Sequence, residues 1–259
     1  MIELTSQQAT VQLQALFDRG EPQPQRCFAV LAGHAAGRIF ADDRDLPTWG
    51  MVWEAGDGAL YLGGTVTALL LGQAVGTLRR DGDVLLGLWP DDPRWALAPP
   101  NPAYTGFTID FDDCPSGEGL DRYLQLLPAD CRVVRVDERL LARARWYAGL
   151  IRQFGSVAGF FDQALGFFLM RNEEILCEVF AGPAAHGLIE LSVETPEPHR
   201  RQGYATITCA HAIQSCEQLG YRTHWNCAKQ NDASAALARK LGFRTEREYR
   251  LWAWFKAGS

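Results

Sequence analysis

The chain has 259 residues, 47% hydrophobic and 22% charged, with a net charge of −6. This suits one large domain or two ordinary ones, supports a sizeable core and excludes an intrinsically disordered chain. The charge is uneven: residues 1–130 carry 8 Lys and Arg against 18 Asp and Glu, whereas residues 131–259 carry 17 against 13. No basic tail or nucleic-acid module is visible, so no nucleic-acid partner is expected. No apolar run reaches the ~18 residues of a membrane span. The start, Met1-Ile2-Glu3-Leu4-Thr5, lacks the basic-then-apolar pattern of a secretory leader. The seven cysteines are odd in number and include no Cys-x-x-Cys pair. A disulfide framework or a zinc site is therefore not expected, and reduced thiols in a cytoplasm are.

In chain order, Ser6 predicts a capped helix running to about Arg19 and stopped by Gly20. Pro22 and Pro24 follow, and then four short apolar runs split by Gly or Asp-Gly: Cys27–Leu31, Gly37–Ala41, Met51–Glu54 and Ala59–Leu62. These read as strands of a meander. Thr65 to Arg80 reads as a helix, Val84–Trp89 as a strand, Asp91 to Tyr104 as a proline-rich loop, Gly106–Phe111 as a strand and Leu120–Leu127 as a short helix. Leu127-Pro128-Ala129-Asp130 marks the expected domain boundary, giving units 1–130 and 131–259.

Beyond the boundary, Cys131–Val136 predicts a strand, and Asp137 caps a helix expected to reach Phe154. Val157–Leu165 is a second helix, Gly166–Met170 and Ile175–Phe180 a hairpin, and Leu188–Val193 the next strand. A helix from Ala205, a strand at Arg222–Cys227, a helix at Asp232–Leu241 and a strand pair within Phe243–Phe255 complete the pattern. The fold class expected is α/β (α+β layered), with a mixed, mostly antiparallel sheet and flanking helices.

The most informative stretch is Pro198-His199-Arg200-Arg201-Gln202-Gly203-Tyr204-Ala205-Thr206. It lies between a strand and a helix start, where free backbone amides and the positive end of the helix dipole suit a phosphate or pyrophosphate. Gly203 allows close backbone approach, and Arg200 and Arg201 add charge. The G-x-G-x-x-G of a dinucleotide fold and the Gly-Lys-Ser/Thr of a nucleotide-hydrolase loop are both missing.

Arg200-Arg201-Gln202-Gly203-Tyr204-Ala205, followed by Asn231, Ser234, Leu237 and Lys240-Leu241-Gly242-Phe243, resembles the acyl-CoA loop and following motif of the GNAT acetyltransferase superfamily. Trp225-Asn226-Cys227 is similar to a GNAT subgroup with about 130 extra N-terminal residues and a fifth strand ending Trp-Asx-Cys. Gly37-Arg38-Ile39-Phe40, Asp42-Asp43, Pro47 and Trp53 resemble it more loosely. The resemblance implies a C-terminal GNAT fold with a splayed sheet. The smaller α/β N-terminal domain before it has a strand-rich meander that allows a degenerate copy of the same fold.

It also implies acetyl-CoA as donor. Main-chain groups of Leu191, Val193 and Thr195 would pair with pantetheine as with an added strand. The loop from Arg200 through Arg201, Gln202, Gly203, Tyr204 and Ala205 to Thr206 would hold the pyrophosphate, and Asn231 and Ser234 would lie along the pantetheine arm. The implied reaction is transfer of acetyl to an amine of a small molecule or peptide by direct attack, in a monomer or homodimer. Glu190, in the strand that supplies the acyl site, is the candidate base, and a solvated or salt-bridged strand glutamate is its structural alternative. Glu178 is the next candidate. Many GNAT enzymes protonate the leaving thiolate with a tyrosine where this chain has Ala238, so the general acid is unassigned. Cys227 and Tyr249 are candidates, beside Ser234 and Tyr204. Ala238 also leaves open an acyl-CoA-binding module without turnover.

Overall fold

The computed structural model describes residues 1–17, 20–97, 102 and 104–258. The N-terminal elements are β1 Ile2–Leu4, α1 Val11–Gln14, α2 Pro24–Ala32, β2 Gly37–Ala41, β3 Trp49–Glu54, β4 Ala59–Gly64, α3 Ala68–Leu78, β5 Val84–Leu88, β6 Tyr104–Asp113 and α4 Asp121–Leu124. After residues 128–130 come β7 Cys131–Arg135, α5 Glu138–Leu141, α6 Tyr147–Phe154, α7 Val157–Gln163, β8 Leu165–Arg171, β9 Glu174–Ala185 and β10 Leu188–Glu194. The last are α8 Tyr204–Gln218, β11 Arg222–Ala228, α9 Asp232–Leu241 and β12 Arg244–Trp254.

The expected strand at Cys27–Leu31 is a helix. Pro24 occupies the first turn of α2, where its missing N–H costs nothing, and Gly33 ends the helix at φ 77°. Gln25 through Leu31 are all buried, so no polar face exposes the helical period and the run mimics a strand. The first helix is also shorter than expected. Ser6–Gln8 is a single 3₁₀ turn, and Thr10, not Ser6, caps α1 by accepting from the Leu13 amide. Arg19 lies outside the described residues. The helix expected from Asp137 to Phe154 is split into α5 and α6, and Phe243–Phe255 holds one strand, not two.

The strands form one sheet in the order β1-β2-β3-β4-β5-β12-β6-β11-β10-β9-β8-β7. β12 is antiparallel to both β5 and β6, and β6 is antiparallel to β11. Strands from either side of residue 130 therefore interleave at the centre of the sheet. Alternation along β3 packs Met51 and Trp53 with α3 residues and Val52 with α2 residues. In the second half, Leu169, Cys177 and Val179 share a core with α8 and α9, whereas Phe168, Met170 and Phe180 pack with α5, α6 and α7. Ala36 N–H donates to the Gln153 carbonyl at 2.7 Å, tying the turn after α2 to α6.

Candidate active site

The site grows from a fork in the sheet. β10 and β11 run parallel and pair only at Leu188–Arg222, Ile189–Thr223 and Glu190–His224. Beyond Glu190, β10 stays paired with β9 through Glu194, while β11 follows β6. The backbone edge of β10 past the fork thus has no partner in β11. The β9–β10 register shifts between Ile189 and Leu191, where two β9 residues, Gly182 and Pro183, stand opposite Glu190 alone. Proline cannot donate to the ladder, and such a bulge bends the strand and re-aims its side chains.

On the α8 side of the fork lies a cleft of about 670 Å³. It brings together ten residues expected to hold a cofactor: Val193, Thr195, Arg200, Arg201, Gly203, Tyr204, Ala205, Thr206, Asn231 and Ser234. Leu191 and Gln202 do not line it. Leu191 is buried in the core, and Gln202 is exposed with Nε2 donating to the Pro198 carbonyl at 3.2 Å. Arg201 at φ 62° and Gly203 at φ 84° turn the chain into α8. A Cβ at Gly203 would meet no atom within 4 Å, so the space before it is open. Ile207 N–H bonds to the Gly203 carbonyl, and the amides of Tyr204, Ala205 and Thr206 belong to the first turn, which has no intrahelical acceptor. Arg200 is tethered by Nε to the Thr195 carbonyl at 2.9 Å and lies 3.5 Å from Glu194. Asn231 caps α9, its Oδ1 accepting from the Ser234 amide at 3.2 Å. The cleft presents amides and cations at one end and an open strand edge at the other, which suits an extended anionic ligand.

Glu190 faces the opposite side, towards α2. Arg26 grips it bidentately, Nε to Oε2 at 2.6 Å and Nη2 to Oε1 at 2.8 Å. Gln25 Nε2 and Asn226 Nδ2 also donate to it, at 3.2 and 2.8 Å. Burial pushes the Glu190 carboxyl up, but the Arg26 guanidinium outweighs this and holds it below the usual carboxylate range. Arg26 Nη1 also meets Glu54 at 3.3 Å and Asp57 at 2.6 Å. Burial keeps the Glu54 carboxyl raised despite Arg26 and the Gly56 and Asp57 amides it accepts from. His224, last partner of Glu190 before the fork, points Nε2 at Asp110 at 2.7 Å. Burial would lower the His224 imidazole, yet the Asp110 bond and charge raise it.

The remaining candidates are dispersed. Cys227 shares the α8-side core with Trp225, its thiol pushed up by burial, and Trp225 Nε1 donates to Ser234 Oγ at 3.2 Å. Tyr249 lies on the α2 side, where Gln23 Nε2 donates to its hydroxyl at 2.7 Å and burial holds its phenol well above the ordinary value. Tyr204 receives a 3.0 Å bond from Arg171. Glu178 is buried and accepts the Arg145 amide at 3.1 Å. Ala238 is fully buried in the core between α8 and α9 and does not line the cleft. Sequence reasoning passed over Gln25, Arg26, Glu54, Asp57 and Asp110. A polar pair directly after Pro24, in an otherwise apolar run, is the one signal that marked any of them.

Among solved structures, a GCN5-related N-acetyltransferase-like protein from Streptococcus suis 89/1591 is similar with a TM-score of 0.71 at 20% identity, over 96% of this chain and 100% of that one. A tandem GNAT protein from the clavulanic acid biosynthesis pathway, solved without acetyl-CoA, gives a TM-score of 0.60 at 12% identity, over 98% and 96%. Both likenesses concern the fold. In sequence, the chain is 27% identical over 128 residues to the uncharacterised N-acetyltransferase YdfB of Bacillus subtilis (strain 168). That match spans 49% of each protein, about half the length of the curated relative. The profile of the GNAT acetyltransferase family matches residues 16–252. That match spans most of the chain, and the chain belongs to the GNAT acetyltransferase family.

Proposed function

We propose that the protein transfers an acetyl group from acetyl-CoA to an amine of a small molecule or peptide. The observation that carries this is the 670 Å³ cleft, which joins the freed β10 edge, the Arg201–Gly203 turn and the first turn of α8 on one side of the fork. Pantetheine lies along β10 past Leu191, the pyrophosphate meets the Arg200–Thr206 loop, and Asn231 and Ser234 flank the arm. The thioester reaches the fork, where an amine arriving from the α2 side attacks. A C–N bond forms, the C–S bond breaks, and the thiolate takes up a proton. Placement of the two reactants supplies much of the rate, and a freed β10 amide stabilises the oxyanion.

Glu190 is the carboxylate at the fork on the acceptor side, and Arg26 keeps it ionised and able to receive the ammonium proton. For the thiolate proton, Ser234 and Cys227 lie on the cofactor side, while Tyr249 is across the sheet. A binding module without turnover gains no support, since Ala238 fills a core position away from the cleft. Within the family we place the chain in the subgroup with an added N-terminal unit, 1–130, ahead of the GNAT unit, 131–259. The supports are Trp225-Asn226-Cys227 at the fork and the tandem GNAT protein's likeness over nearly the whole chain.

Gly203→Asp tests the donor site. The carboxylate would fill the open space before α8 and repel a pyrophosphate. Acetyl-CoA is expected to raise the melting temperature of the parent protein and not of the variant. An equal rise in both would place the donor elsewhere.

A further inference from the structure

Two cavities open on the face of the fork opposite the donor cleft. The larger, about 500 Å³, is lined by Ser192 of β10, and the smaller, about 350 Å³, by Asn226 of β11. Each of these residues is two positions past the last β10–β11 pair. The cavities share two lining residues, Arg26 and Asp57, so their junction lies over the point where β10 and β11 part.

The junction is anionic. Glu54, Asp57 and Glu190 surround the single guanidinium of Arg26. The Asp57 side chain is 66% exposed, while those of Glu54 and Glu190 are buried. The excess negative charge attracts an ammonium to the spot from which an amine must attack. The larger cavity carries the opposite sign along its α6 wall. Arg152 of α6 and Arg145, two residues before α6, line it there. Arg145 makes one 3.9 Å approach to Glu194, and the Arg152 guanidinium has no ion pair or hydrogen bond among the described residues. Trp146, Leu150, Phe154 and Phe180 supply an apolar surface to the same cavity.

We propose that the acceptor is an amphoteric amine: its amino group sits at the Asp57 junction, an apolar segment lies against Trp146 and Phe154, and an oxyanion, carboxylate or phosphate, pairs with Arg152. Arginine presents the planar fork that either oxyanion fits. This rests on the acetyl-transfer reading above and names the acceptor class for it.

The test compares initial rates on matched primary amines with saturating acetyl-CoA: n-alkylamines, ω-amino acids of the same chain length, and ω-aminoalkyl phosphates. The oxyanion-bearing amines are expected to show about tenfold higher kcat/KM than the alkylamines, expressed in KM and weakened by salt. The phosphate and carboxylate arms tell which oxyanion fits better. Arg152→Met is expected to bring that ratio to about one with an unchanged melting temperature, and Arg152→Lys to restore part of it. A parent ratio of one or less, or a ratio that Arg152→Met leaves intact, overturns the assignment. If no amine releases thiol, the turnover reading fails by itself. Calorimetric binding of 6-aminohexanoate to the coenzyme A complex then decides the acceptor class: binding that needs Arg152 upholds it, and absent or Arg152-independent binding overturns it.

Discussion

Arg26→Met should be the most revealing single change in the protein. The side chains of Arg26, Glu54 and Glu190 are 6%, 0% and 4% exposed, so deleting the guanidinium strands two carboxylates away from water. Breaking a buried ion pair by removing one partner costs about 3–5 kcal/mol. In a chain of this size each kcal/mol moves the melting temperature by roughly 2–4 °C, so a fall of roughly 10 °C is expected near pH 7.5. The pH dependence carries the sign. Glu190 is held below its ordinary value in the folded protein, so its contribution is present above the unfolded carboxylate range and is lost as pH falls through the folded value. Glu54 is raised, so it favours the fold at low pH and opposes it as pH rises. Without Arg26, burial alone acts on both, and the variant's deficit should shrink below about pH 5 as they take up protons. Urea denaturation from pH 4 to 8 reads this directly. Glu190→Gln added to Arg26→Met should recover roughly 1–2 kcal/mol, because one stranded charge is gone. A deficit under about 1 kcal/mol at pH 7.5, or one independent of pH, would refute the charge network as drawn.

Two further outcomes are expected. Glu190→Gln should lower kcat/KM about a hundredfold or more and remove the acid limb of its pH profile, as loss of a general base does; an unaltered rate and profile, measured by thiol release, would take the base role away. Asp42 accepts from the Thr48 amide at 2.9 Å and from its hydroxyl at 2.5 Å. Burial nudges the Asp42 carboxyl up, yet Thr48 draws it down to about 2. Its contribution should be full above about pH 4, fade as pH falls towards 2 and be missing in Asp42→Asn. The partly exposed site keeps the effect below about 1 kcal/mol, and equal acid sensitivity in thermal melts of parent and variant would count against it.

The proposed donor side of the site was legible because its chemistry is local. An arginine-glycine turn ahead of a helix and an asparagine cap on the next helix are short-range features, and the fold draws them into one cleft. Of the proposed acceptor side only Glu190 was legible, because the rest is assembled from distant segments: Arg26 and Asp57 from the first quarter of the chain, Asp110 from β6 and His224 from β11. Arg26 sits just before Cys27–Leu31, whose apolar run imitates a strand because every side of α2 there is covered. The strand order was hidden for a related reason. Alternation along β6 and β12 reveals strands, and nothing local says that one inserts beside the other between β5 and β11.

That insertion sets a schedule for folding. β12 follows every other described strand in the chain, and it fills the middle of the sheet between β5 and β6. The two flanking strands emerge more than a hundred residues earlier and must hold their unpaired edges open until β12 arrives. Contacts this remote in sequence slow the search for the native state, and waiting edges invite wrong pairing. Nascent chains lacking β12 should therefore depend on chaperones even when most of the first half has left the ribosome.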